Sequence, residues 1–182
     1  LRLIVGALSI MTIALIAIAG SKMILYISSY GLTRLRFYTL AFMAFLAFVF
    51  LFLFLYAVLP RFRAVRFILA AFLAFSMVFS LLDADLIIAK FNPQRYLSGE
   101  TEELDLDYFD KLSGASAAML APIAEDAADE SMREEAQYRI QLFSNEYEEK
   151  PLLQRSLCET LAYRAVKKEG IPHVRSLSVQ IT

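Results

Sequence analysis

Charge is missing from the stretch that organises this chain: between Phe37 and Val58 there is no Asp, Glu, Lys or Arg. A helix of that length crosses the roughly 30 Å apolar core of a bilayer. Two further runs poor in charge flank it, Leu3 to Ala19 and Phe67 to Leu82. Other absences narrow the chemistry. The single cysteine, Cys158, rules out an internal disulfide and any Cys-x-x-Cys pair, and it sits in a helical pattern where a small buried apolar residue is expected. The single histidine, His173, follows Pro172 and is expected at the surface. One His cannot supply the three or four ligands that zinc needs, so neither a metal nor another cofactor is called for. No Gly-x-Ser-x-Gly elbow and no phosphate-cradling glycine loop occurs.

What is present divides the chain near Asn92. Residues 1–91 carry eight Lys or Arg against two acids, a balance of +6, whereas residues 92–182 carry ten against seventeen, a balance of −7. The halves suit different solvents. An acidic second half argues against nucleic acid as a partner, because that affinity comes from cations neutralising phosphates. The expected fold is therefore all-α: a polytopic membrane region over 1–91, then an acidic soluble helical domain over 92–182.

Three spans are expected, at about 3–26, 33–59 and 66–88. A cleaved signal peptide ending at Ala17-Ile18-Ala19 competes with the first, but apolar character continues from Met23 to Ile27 and another span follows. Thr33 is the expected N-cap of the second helix. Ala41, Ala44 and Ala47 recur beside Phe42, Phe45 and Phe48, and Ala70, Ala71 and Ala74 continue the theme in the third span. Small residues at such spacing let helices approach closely in lipid. The bilayer is one expected partner, and upstream spans or other membrane subunits are another.

Near the end of the third span, Asp83 and Asp85 are expected at the membrane edge that also carries Lys22, Arg34 and Arg36. Carboxylates at such depth are costly unless paired, so the five residues form a candidate interfacial charge cluster. An ion network that fixes helix register is the plainer account of it. The short Arg61, Arg63 and Arg66 connection is typical of a cytoplasmic loop, which places the acidic domain outside the cytoplasm. Beyond a proline turn at Pro93, helices are expected at about 104–112, 115–128, 131–149 and 151–169. Ser131 and Glu134 suggest a capping box. Met132, Ala136, Ile140, Phe143 and Tyr147 form one apolar stripe; Leu153, Leu157, Leu161 and Ala165 form a second, and the two are expected to face each other in a helical hairpin. Leu177, Val179 and Ile181 alternate as in a strand.

Glu134-Glu135-Ala136-Gln137-Tyr138-Arg139 spells the EExxxR pattern of membrane-embedded proteases, but in a soluble acidic helix and with a single histidine in the chain. No catalytic residues are assigned, and the chain leans away from being an enzyme. A non-enzymatic membrane module, whose helical domain binds a protein or envelope partner for signalling or assembly, is the favoured reading. A transport or proton-relay component using Asp83 and Asp85 is the second, and an interfacial envelope or lipid enzyme the third.

Several separate blocks carry a family resemblance: Tyr30 to Thr39, Asp83 to Asn92, Arg95 to Gly99, and Leu104 to Tyr108 with Leu112-Ser113. Over about 22–123 they resemble a bacterial multi-span membrane family known as domain of unknown function 4173, with a relative numbered 4153. The resemblance implies a bacterial cytoplasmic (inner) membrane protein with further spans upstream of Leu1. It implies no activity and carries over no catalytic residue.

Overall fold

The computed structural model describes residues 1–59, 62–101 and 104–169. Among them seven α-helices and three short 3₁₀ segments occur, and no strand. They fall into two compact units, Leu1–Ala84 and Asp85–Thr182. His173 and the alternating Leu177, Val179 and Ile181 lie outside the described residues, as does Arg61.

In the first unit α1 (Arg2–Tyr30), α2 (Arg34–Val58) and α3 (Ala64–Leu81) are each long and apolar enough to cross a membrane. Not one residue of α2 is buried by protein. Its side chains are half-buried or exposed and almost all apolar, which is stable only where the surroundings are themselves apolar. α2 packs against both α1 and α3. Against α1 the approach is close: a Cβ at Gly6 would lie 3.2 Å from Ala57 Cβ. Against α3 it is aromatic. Phe45 lies 4.9 Å from Phe75 and 6.1 Å from Phe72, Tyr38 lies 5.7 Å from Phe79, and Phe52 lies 5.8 Å from Phe67, centroid to centroid. Tyr38, Phe45 and Phe52 recur every seven residues, two helical turns, so they form one seam. Of the alanine stripe, Ala41, Ala47 and Ala71 are half-buried and Ala44, Ala70 and Ala74 exposed, while the rings line the α2–α3 contact.

The turn between α1 and α2 is closed by local chemistry. Gly31 ends α1 at φ 74, a left-handed conformation that costs a glycine little, and its N–H reaches Ile27 O at 2.9 Å. Thr33 caps α2 as its type predicts, its hydroxyl accepting the Arg36 N–H at 3.5 Å.

The expected third span differs from the structure. α3 stops at Leu81, and after Leu82 and Asp83 a separate helix α4 (Ala84–Leu97) begins. Pro93 does not turn the chain out of this helix; it lies inside α4 and is fully buried. A proline there removes one N–H donor, a cost that burial of its ring offsets.

The second unit also replaces expected α-helices by tighter turns. The 104–112 segment is a 3₁₀ turn, Asp107–Lys111, and 115–128 becomes a 3₁₀ segment, Gly114–Leu120, running into α5 (Ala121–Asp126) with Pro122 in its first turn. α6 (Glu130–Glu149) buries Ala136, Ile140, Phe143 and Tyr147, the stripe that its periodicity marks. Its N-cap is Asp129, not Ser131: Asp129 Oδ1 accepts the Ser131 N–H at 3.0 Å. α7 (Leu157–Glu169) corrects the second stripe. Leu153, Leu157 and Leu161 are exposed, and Ala162 and Val166 turn inward instead. Its main neighbour is the Gly114–Leu120 segment rather than α6. Cys158 is exposed, contrary to its expected burial. A real capping box opens α7, with Ser156 N–H donating to Glu159 Oε2 at 2.9 Å and Glu159 N–H to Ser156 Oγ at 3.1 Å.

Candidate functional site

The five residues of the charge cluster divide between the two units. Lys22 is exposed in α1, and Arg34 opens α2. Arg36 has a distinct task. Its guanidinium donates to Tyr30 O at 2.9 Å and Gly31 O at 2.6 Å, and lies 4.4 Å from the centre of the Tyr26 ring. These are the carbonyls that the end of α1 leaves without intrahelical partners. Asp83 sits half-buried between α3 and α4, while Asp85 lies in the first turn of α4.

Asp85 is engaged within the second unit. Its Oδ2 accepts the Ser113 N–H at 2.8 Å across 28 residues of sequence. Ser113 is the residue from which the Gly114–Leu120 segment starts, so the carboxylate caps a 3₁₀ helix that it does not belong to. Asp85→Asn, which keeps an acceptor oxygen, is expected to hold the cap, whereas Asp85→Ala is expected to release it at a cost of about 1 to 2 kcal/mol. Hydrogen exchange at the 113–116 amides reads this out: equal protection in wild type and both variants would sink the capping role.

A second set of charges, reached in the sequence only through the EExxxR pattern, surrounds a cleft of about 370 Å³. Phe109, Leu112, Leu142 and Phe143 give it apolar walls, and Asp110, Arg139, Glu146 and Lys150 give it polar ones. Arg139 is largely buried and gathers three carboxylates. It bonds to Asp110, to Asp107 Oδ1 at 2.8 Å and to Glu135 Oε1 at 2.8 Å. Burial opposes its charge, but the hydrogen bonds to Glu135 and Asp110 outweigh it and hold the guanidinium above its usual range. One side chain thereby pins the Asp107–Lys111 turn to α6.

At the far end of α6, Lys150 Nζ lies 2.9 Å from Glu159 Oε1 and 3.1 Å from Glu146 Oε1. Arg155 closes the helix as Arg36 closes α1, donating to Lys150 O at 2.9 Å and Glu148 O at 3.1 Å with its guanidinium 4.6 Å from the Tyr147 ring centre. Tyr147 and Tyr163 stack at 4.5 Å, and the Tyr163 hydroxyl donates to Glu148.

These contacts set a pH window for the α6–α7 joint. The Ser156 backbone N–H, then Lys150, hold the Glu159 carboxyl below its ordinary 4.5. Its contribution is present above about pH 4.5 and fades as the pH falls through the lowered value. Glu159, then Glu146, raise the Lys150 ammonium above its ordinary 10.5, so that contribution holds below 10.5 and is lost as the pH rises through the raised value. Limited proteolysis between residues 150 and 157 is expected to stay slow across neutral pH and to accelerate at both extremes. Glu159→Gln should flatten the acid limb; an unchanged acid limb would remove Glu159 from the account.

The fold thus defines a class: a helical protein with three helices able to cross a membrane, followed by a helical region of soluble character. The family model for the domain of unknown function DUF4153 matches residues 1–123, and the chain belongs to that family. No curated protein and no solved structure matches it. The matched stretch includes the three helices able to cross a membrane, α4 and the Asp85–Ser113 contact, and ends within α5.

Proposed function

We propose that the chain is a non-enzymatic, membrane-anchored binding module of a bacterial cytoplasmic membrane, whose second unit holds a partner or ligand in the cleft between α6 and the two 3₁₀ segments, outside the cytoplasm. The observation that carries this reading is the cleft itself. Its volume of about 370 Å³ falls at the lower end of the range typical of ligand pockets. Leu142 at its edge is 49 % exposed, an apolar contact left for an occupant.

The charges around it favour binding over proton transfer. General acid–base catalysis works best with a group that titrates near the working pH. Arg139 and Lys150 are shifted upward and Glu159 downward, all away from neutrality. Asp85, the centre of the proton-relay alternative, has one carboxylate oxygen committed to the Ser113 N–H at the start of the Gly114–Leu120 segment, which is a structural task.

A photoreactive residue at position 142 of the full chain in native membranes tests the reading. A discrete crosslinked product is expected there and not at position 149, and Ala117→Leu, which fills part of the cleft, should abolish it. No product at 142, or equal products at both positions, would overturn the proposal.

A further inference from the structure

We infer that the outer face of α7 docks on the surface of an anionic lipid bilayer. Leu157 and Leu161 are 84 % and 64 % exposed, and their four-residue spacing puts them on one face of α7; Leu153, 101 % exposed, lies in the short 3₁₀ turn that precedes the helix. At about 100° per residue, Arg164 and Lys168 fall within roughly 20° of Leu157 and continue that face toward the C-terminal end. Both are exposed, as is Lys167. Ala162 and Val166 occupy the opposite side and are buried, so the orientation of the helix is fixed by its own core.

Charge decides between a lipid and a protein occupant. Residues 92–182 carry seventeen acids against ten Lys or Arg, yet Arg164, Lys167 and Lys168 lie within five positions and no acid separates them. A leucine face continued by a basic cluster is the pattern of helices that lie in the headgroup region, where apolar side chains enter the acyl boundary and cations meet anionic headgroups. Attachment strengthens the case. The same chain carries three helices able to cross a membrane, so α7 meets a bilayer at high effective concentration and a short apolar face suffices.

The exposed Cys158 is the only cysteine in the chain and neighbours Leu157, so it reports directly on this face. The full chain, labelled at Cys158 with an environment-sensitive fluorophore, is placed in lipid nanodiscs of phosphatidylcholine alone or with phosphatidylglycerol. With the anionic lipid, quenching by iodide is expected to fall several-fold and quenching by acyl-brominated lipid to appear. Leu157→Ser with Leu161→Ser, and separately Arg164→Glu with Lys168→Glu, should restore iodide quenching; all four positions are exposed, so folding is not at stake. Full iodide access in anionic discs would overturn the inference. So would shielding that ignores the charge reversal and rises with two copies per disc, which would make the face a contact between copies. Shielding that is insensitive to lipid charge and lost on ending the chain at residue 169 would assign it instead to residues 170–182.

Discussion

Ile140→Ala should destabilise the second unit by about 3 kcal/mol, while Leu157→Ala, the larger-looking loss in a leucine-rich helix, should cost almost nothing. Ile140 is 2 % exposed at the centre of the α6 stripe, and truncation there removes transfer energy and leaves a cavity. Leu157 is 84 % exposed, so its truncation removes little buried surface. Hydrogen exchange of the α6 amides in the full chain measures both. Comparable losses would mean that α7 presents its leucines inward, and the lipid-docking face would fall with that result.

Arg36→Leu is expected to weaken the α1–α2 pair by about 2 kcal/mol. Two hydrogen bonds from a charged donor and a ring contact are lost, each worth about 0.5 to 3 kcal/mol, with water at the membrane edge recovering part. Arg36→Lys keeps the charge but not the fork, and should fall between. Unfolding of the full chain in mixed micelles with rising dodecyl sulfate measures the difference, with Leu35→Ala as control because Leu35 is 77 % exposed. A shift no larger than the control's would remove Arg36 as the cap of α1.

The second helix was legible because a charge-free run of that length has one stable environment, and the Thr33 cap because it is a matter of residues three apart; the third was legible only to Leu81, where α3 stops short of the expected 88. The α6 stripe was legible for the same local reason. α7 was not, although its periodicity is as clear. Periodicity gives the angle between positions, but which side is buried depends on the surface opposite, and the Gly114–Leu120 segment receives Ala162 and Val166 rather than a row of leucines. The blocks of residues were read as a resemblance to family 4173 over about 22–123, with 4153 as a relative; the model that matches is that of 4153, and it covers residues 1–123, extending through the first helix.

The candidate site was less visible. Asp85 and Ser113 lie 28 residues apart, and the carboxylates around Arg139 come from positions 29 and 32 residues upstream as well as from one turn away. Only the last of these, the Glu135–Arg139 pair, has a spacing that a sequence can announce. Pro93 misled in the opposite direction: proline usually ends a helix, and here it is held inside one.

The three-residue turn at Gly31, Leu32 and Thr33 also makes the first two helices a local unit of the chain. Closing so short a loop costs little chain entropy, and Arg36 locks it from just beyond the turn. The α1–α2 pair is therefore closed by its own turn, and α3 adds to it through the seam of Tyr38, Phe45 and Phe52.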